Sequence, residues 1–132
     1  MPRRDESDSG REVDGHVDRV IADQPDVRDE AGIDLAMVTM RFRASDPAGL
    51  AAVLSQYVVL TRRETGCRNV DFCVSIRDPA SYVVLQKWDS PQAQRDHFDS
   101  PAMVSMAQSC NGLLAEAPVI ELLDPISAHD LH

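Results

Sequence analysis

An α+β fold, with one four-stranded antiparallel sheet and helices on a single face, is predicted by three features of this sequence. Strand-like runs rich in Val, Ile and Met recur along residues 35–123, and one of them alternates with period two. Between them lie helical stripes, each opened by a cap residue followed by proline: Asp46-Pro47, Ser90-Pro91 and Ser100-Pro101. Read in chain order, the elements are β-α-β-β-α(α)-β, the order of a split βαβ unit.

The first strand is Leu35 to Phe42. Asp46 then caps a helix on which Leu50, Val53, Leu54, Tyr57 and Thr61 share one stripe; Gly66 closes it after about five turns. In the second strand Val70, Phe72, Val74 and Ile76 point one way and Asn69, Asp71, Cys73 and Ser75 the other. A turn at Asp78-Pro79-Ala80 leads into a third strand, Tyr82 to Trp88, so the two should pair as a hairpin. A short helix runs from Ser90 through His97, and another from Ser100 to about Leu114 with Met103, Val104, Ala107, Cys110 and Leu114 on its buried side. The last strand is Val119 to Leu123, closed by Pro125. Few arrangements other than the ferredoxin-like one keep such connections short and right-handed. Helices on one face leave the other to solvent or to a second subunit, and the mixed outer face of the third strand, Val83, Leu85 and Lys87, predicts a homodimer.

Length and charge bound the rest. The 132 residues suffice for one domain with a core, and composition changes near residue 34. Residues 1–33 hold ten acids, five arginines and no aromatic residue, which predicts an acidic, flexible arm; a domain over 34–126 and a short tail, 127–132, follow. Within the arm, Val13, Val17, Val20 and Ile21 form a stripe that could become a helix against a protein partner. A formal charge of −9 repels a phosphate backbone and argues against nucleic acid. No apolar run approaches the ~20 residues that membrane insertion requires, and no secretory signal is apparent. Cys67, Cys73 and Cys110 are an odd set without a CxxC pair, so no disulfide framework or zinc site is expected and the compartment expected is the reducing cytoplasm. Cys73 and Cys110 read as small core residues.

The stretch Thr65-Gly66-Cys67, then Ser81 through Pro91, with His97, Ser100 and Pro101 after it, resembles the antibiotic-biosynthesis-monooxygenase family. That family's signature looks like a strand ending in E-x-W-x-S, then a helix with a histidine, then a serine opening the last helix. Trp88, Ser90, His97 and Ser100 match; Gln86 stands at the glutamate position. The resemblance implies a dimeric α/β barrel and a family that includes cofactor-free oxygenases of quinols and anthrones, haem-degrading enzymes and isomerases of small signalling molecules. The haem-degrading branch typically has an asparagine on the first strand, which is absent here. What the resemblance implies most directly is a cofactor-independent monooxygenase of a small phenolic, quinol or anthrone-like substrate, with molecular oxygen as co-substrate. Its chemistry needs an apolar pocket, a base, and donors for the substrate anion. The rival is a non-catalytic binding or accessory subunit of the same fold that associates with a protein partner through its sheet and the acidic arm.

His97, the only histidine within the expected core elements, is the candidate base, its unperturbed pKa suiting proton transfer near neutrality. A histidine that caps a short helix or packs against the sheet fits the same position. Trp88, Tyr82 and Gln86 share a strand face and are the candidate walls for a flat aromatic ligand, or else plain core. Asn69 and Arg41 are candidate polar contacts for a substrate anion; solvated strand positions explain them equally. Neither a nucleophilic triad nor a metal ligand set can be assembled.

Overall fold

The computed structural model describes residues 34–128; the acidic segment 1–33 with its valine stripe, and residues 129–132 of the tail, lie outside the described residues. The elements are β1 (Ala36–Arg43), α1 (Pro47–Thr61), β2 (Cys67–Val74), β3 (Ser81–Trp88), α2 (Pro91–Phe98), α3 (Pro101–Ser109) and β4 (Val119–Leu123). They form a four-stranded sheet in the order β2-β3-β1-β4, and each neighbouring pair is antiparallel. This is the ferredoxin-like fold expected from the order of elements.

The caps form as their residue types require. Asp46 accepts the Gly49 N–H at 3.1 Å, Ser90 that of Ala93 at 3.1 Å, and Ser100 that of Met103 at 3.3 Å, each followed by proline in the first turn. The β2–β3 turn is tied by Asp78, which accepts from the Ala80 N–H at 3.0 Å and the Ser81 hydroxyl at 2.8 Å and pairs with Arg43 on β1. These bonds, the backbone one foremost, hold the Asp78 carboxyl below the usual carboxylate range.

The core lies between the helices and one face of the sheet. Val38, Met40 and Phe42 of β1, Val70 of β2, and Tyr82, Val84, Gln86 and Trp88 of β3 are buried there against Leu50, Leu54, Tyr57, Val58 and Thr61 of α1. Each fully buried aliphatic side chain contributes roughly 1.5–3 kcal/mol. The opposite face carries Thr39 and Arg41, Asn69 and Asp71, Val83 and Leu85, and Val119 and Glu121, placed side by side by the strand register.

Two expectations are corrected. The helix that starts at Pro101 ends at Ser109, not Leu114, and buries Met106, with Met103 partly buried, while Val104 and Ala107 are exposed. The stripe is rotated because Met106 and Cys110, not Val104, meet the core. Cys73 is exposed because it belongs to the outward set on β2; Cys110 is buried and all three cysteines are free thiols.

Candidate active site

Helix α1 ends at the Arg62 cap, after which two tight turns carry the chain through Glu64 to Gly66. Gly66 has φ +87°, and a Cβ there would lie 2.6 Å from the Cβ of Ala93 on α2. Only glycine permits both the left-handed backbone and this approach. The Gly66 carbonyl accepts the Asp89 N–H at 2.7 Å, so the end of α1, the start of β2, the end of β3 and α2 converge. At the start of β2, Cys67 pairs with Trp88 but Asn69 with Lys87, a bulge at Arg68 in the same corner of the sheet.

A chain of hydrogen bonds runs through the core to this corner. Trp88 Nε1 donates to Gln86 Oε1 at 2.9 Å, and Gln86 Nε2 donates to Tyr57 Oη at 2.7 Å and to Met40 Sδ at 3.2 Å. Tyr57 Oη lies 2.6 Å from His97 Nε2, and His97 Nδ1 lies 2.7 Å from Glu64 Oε1. The Trp88 indole stacks on the His97 ring with centroids 4.6 Å apart and planes at 28°. Trp88, Gln86, His97 and Tyr57 are 0–2% exposed, whereas the Glu64 side chain keeps 24% of its surface. Burial of polar groups is costly without partners, and this chain supplies them.

Glu64 and His97 form part of the wall of an open cleft of about 680 Å³, together with Arg63, Asp89, Asp96 and Ser100. Ala93, Pro101 and Gly66 also line it. Glu64 is thus the member of the chain that meets the cleft, with His97 directly behind it.

The structure brings together three of the expected site residues, His97, Trp88 and Gln86, and separates the others. Tyr82 sits at the far end of the same face of β3, 5.5 Å from the Phe72 ring and donating to the Pro47 carbonyl at 3.3 Å. Arg41 and Asn69 are on the opposite face of the sheet; Asn69 donates to Asp71 at 3.0 Å, and Arg41 borders a separate cleft of about 540 Å³ with Arg43 and Glu116. The space between sheet and helices next to Trp88 is filled by Tyr57 and His97 themselves.

Two members of the chain were not singled out from the sequence. Tyr57 lies on the helical stripe that reads as apolar, and Glu64 lies beyond the helix. Residues 57, 61 and 64 fall at i, i+4 and i+7, which puts a phenol, a hydroxyl and a carboxylate on one helical line. Thr61 turns inward to bond the Tyr57 carbonyl at 2.7 Å, and Glu64 takes the histidine.

Burial pushes the Tyr57 phenol up to about 12, against the opposing effect of the bond from Gln86. The folded protein therefore keeps a proton that the unfolded chain loses near pH 10. Stability from this group is complete below about pH 10 and falls as pH rises towards about 12, by about 2–3 kcal/mol in total. Urea midpoints measured from pH 9 to 12 should fall more steeply for wild type than for Tyr57→Phe, in which the Cys67 and Cys110 thiols, also pushed up by burial, still contribute; parallel curves would remove Tyr57 as a source of the decline.

Among the described residues, no group of three or more His, Cys, Asp or Glu side chains is arranged to hold a metal ion, and no helix is long and apolar enough to cross a membrane. Fold and site together define an α+β domain with a buried histidine paired to a partly exposed carboxylate at the wall of a cleft. The chain belongs to the antibiotic biosynthesis monooxygenase family, whose model matches residues 35–109. Among solved structures, Rv0793 from Mycobacterium tuberculosis is 25% identical with a TM-score of 0.67, over 74% of this chain and 100% of that one. SnoaB from Streptomyces nogalater, described as a cofactor-independent oxygenase, is 19% identical with a TM-score of 0.65, over 72% of this chain and 96% of that one. PA3566 from Pseudomonas aeruginosa is 18% identical with a TM-score of 0.65, over 71% and 96%. A comparison with curated proteins finds no match.

Proposed function

We propose that this chain is a cofactor-independent monooxygenase of a small electron-rich aromatic, a quinol, an anthrone or a related phenol, and that Glu64 held by His97 is its base. The observation that carries the proposal is a carboxylate fixed at 2.7 Å by a fully buried imidazole and partly open to a cleft of about 680 Å³. Family membership supports the same chemistry.

The reaction needs little from the protein beyond deprotonation and containment. Glu64 takes the acidic proton of the bound substrate, and His97 Nδ1–H stabilises the carboxylate and fixes its direction. The substrate anion passes one electron to dioxygen, and the resulting radical and superoxide combine into a peroxide at carbon. Loss of water then leaves a carbonyl, so that a CH₂ group and O₂ give C=O and H₂O, both electron pairs coming from the substrate. Arg63 and the hydroxyls of Ser90 and Ser100 on the cleft wall are the donors available to the anion. Trp88 acts by stacking behind His97, and the reaction written this way does not use Tyr82, Asn69 or Arg41.

Oxygen uptake across a panel of quinols, anthrones and catechols tests this, with ¹⁸O₂ tracing one oxygen atom into product. Acceleration over the enzyme-free rate by at least one substrate is the expected result. No acceleration across the panel would overturn it and turn attention to a non-catalytic, partner-binding role.

The chain acts as a homodimer through the open face of the sheet, where Leu85, Val119 and Leu123 are 38%, 58% and 38% exposed beside Val83. These exposed apolar side chains, set among the polar Thr39, Arg41 and Glu121, favour a second copy of that face. Light scattering at micromolar concentration should give twice the chain mass for wild type and a monomer for Leu85→Glu. A monomeric wild type sinks the dimer.

A further inference from the structure

We propose that Gln86 is a positioning residue that sets the direction of the buried hydrogen-bond chain, so that His97 is held as the neutral Nδ1–H tautomer pointing its proton at Glu64. The mechanistic part of this inference rests on the oxygenase function proposed above; the tautomer itself does not.

Donor counting leads to it. An indole N–H can only donate, so Trp88 commits the Gln86 oxygen as the acceptor at 2.9 Å. The amide is then oriented with its nitrogen towards Tyr57 and Met40, and both its protons are spent, at 2.7 Å on Tyr57 Oη and 3.2 Å on Met40 Sδ. Tyr57 Oη, now an acceptor, has one proton of its own. Its outlets are His97 Nε2 at 2.6 Å and the thioethers of Met103 and Met40 at 3.6 and 3.7 Å, which are weak acceptors. The proton goes to Nε2. His97 must then carry its own proton on Nδ1; the Glu64 carboxylate accepts it at 2.7 Å, and the Ser100 hydroxyl oxygen lies farther from the same nitrogen, at 3.4 Å. Five side chains thus share one polarity, which begins at a group that cannot reverse and ends at the cleft.

A glutamate at position 86 would change that polarity. As a carboxylate it would accept from both Trp88 and Tyr57, and the Tyr57 lone pair would face His97 Nε2. The imidazole would then carry protons on both nitrogens, between Glu64 and Tyr57. Glu64 would be paired to a full imidazolium cation, and its ability to take a substrate proton would fall. The ionisable and charged groups around the ring are Glu64 and Tyr57 from α1 and its following turn, Cys67 at the start of β2, Asp89 after β3, and Arg63 and Asp96 on the cleft wall. Of these, Glu64 and Tyr57 touch the ring nitrogens.

The test is ¹⁵N NMR of the histidine side chains in the full-length protein. Wild type near neutral pH should show His97 as the Nδ1–H tautomer, with Nε2 as acceptor. Gln86→Glu should move the His97 titration up by about 1–3 pH units and populate the imidazolium at neutral pH. A wild-type Nε2–H tautomer, or an imidazolium in wild type at neutral pH, would overturn the proposal, as would a titration unchanged in Gln86→Glu. If Gln86→Glu does not fold, the wild-type tautomer decides alone. No substrate enters this measurement, so absence of oxygen uptake would sink the oxygenase function while leaving the tautomer assignment to stand or fall by itself.

Discussion

Glu64→Gln is expected to lower kcat/KM for oxygenation by about 10²- to 10⁴-fold while the protein remains folded, the range that a positioned general base contributes. The substitution is nearly isosteric. The amide oxygen can still accept the His97 Nδ1–H, so the ring and the stacked Trp88 stay in place, but no group at the cleft wall can then take the substrate proton. The partly exposed position keeps the stability cost near the ~1 kcal/mol of one modified hydrogen bond. His97→Ala should reduce turnover comparably but for a different reason, since it frees the carboxylate to rotate and empties the space behind it. The two variants should differ in thermal stability, with His97→Ala the less stable because His97 is fully buried. Single-turnover rates over the pH range, beside urea midpoints, separate the effects. A Glu64→Gln protein with unchanged kcat/KM would remove Glu64 as the base.

Trp88→Ala is expected to cost about 3–5 kcal/mol of stability, as for large buried aromatics generally. Trp88 has no exposed surface and is among the largest fully buried side chains. Its removal takes the stacking partner from His97 and leaves the Gln86 oxygen without its donor. The empty volume cannot collapse easily, because β3 is held between β1 and β2 on both sides. Trp88→Phe should recover most of the packing and none of the hydrogen bond, and so fall between the two. Denaturant unfolding reads this directly. A midpoint shift for Trp88→Ala no greater than that of Leu85→Ala, on the open face, would contradict the role assigned to the indole.

Much of the architecture was legible in the residues because its signals are local. Asp46, Ser90 and Ser100 announce helix starts through bonds that span three residues, and the Asp78 turn closes within four. Alternation on β3 separated Tyr82, Val84, Gln86 and Trp88 from Val83, Leu85 and Lys87, and burial follows that division. The third helix was harder. Its sequence, with Met103, Val104, Met106 and Ala107 all apolar, offers more than one stripe, and contact with α1 selects the one that contains Met106.

The site divides in the same way. His97, Trp88 and Gln86 stood out by residue type and by resemblance, and the tertiary structure gathered them in one corner. Arg41, Asn69 and Tyr82 had comparable claims by type, and pairing register alone sent the first two to the opposite face and the third to the far end of β3. Tyr57 and Glu64 became visible as partners only when α1 was laid against β3 and α2, since their bonds to His97 cross 40 and 33 residues of chain. What the sequence by itself determined is therefore the elements, their order and the family, because caps, periodicity and turns act over a few residues. What the tertiary structure decided is which polar groups meet, since hydrogen bonds of 2.6–2.7 Å between distant residues depend on packing that no local pattern encodes.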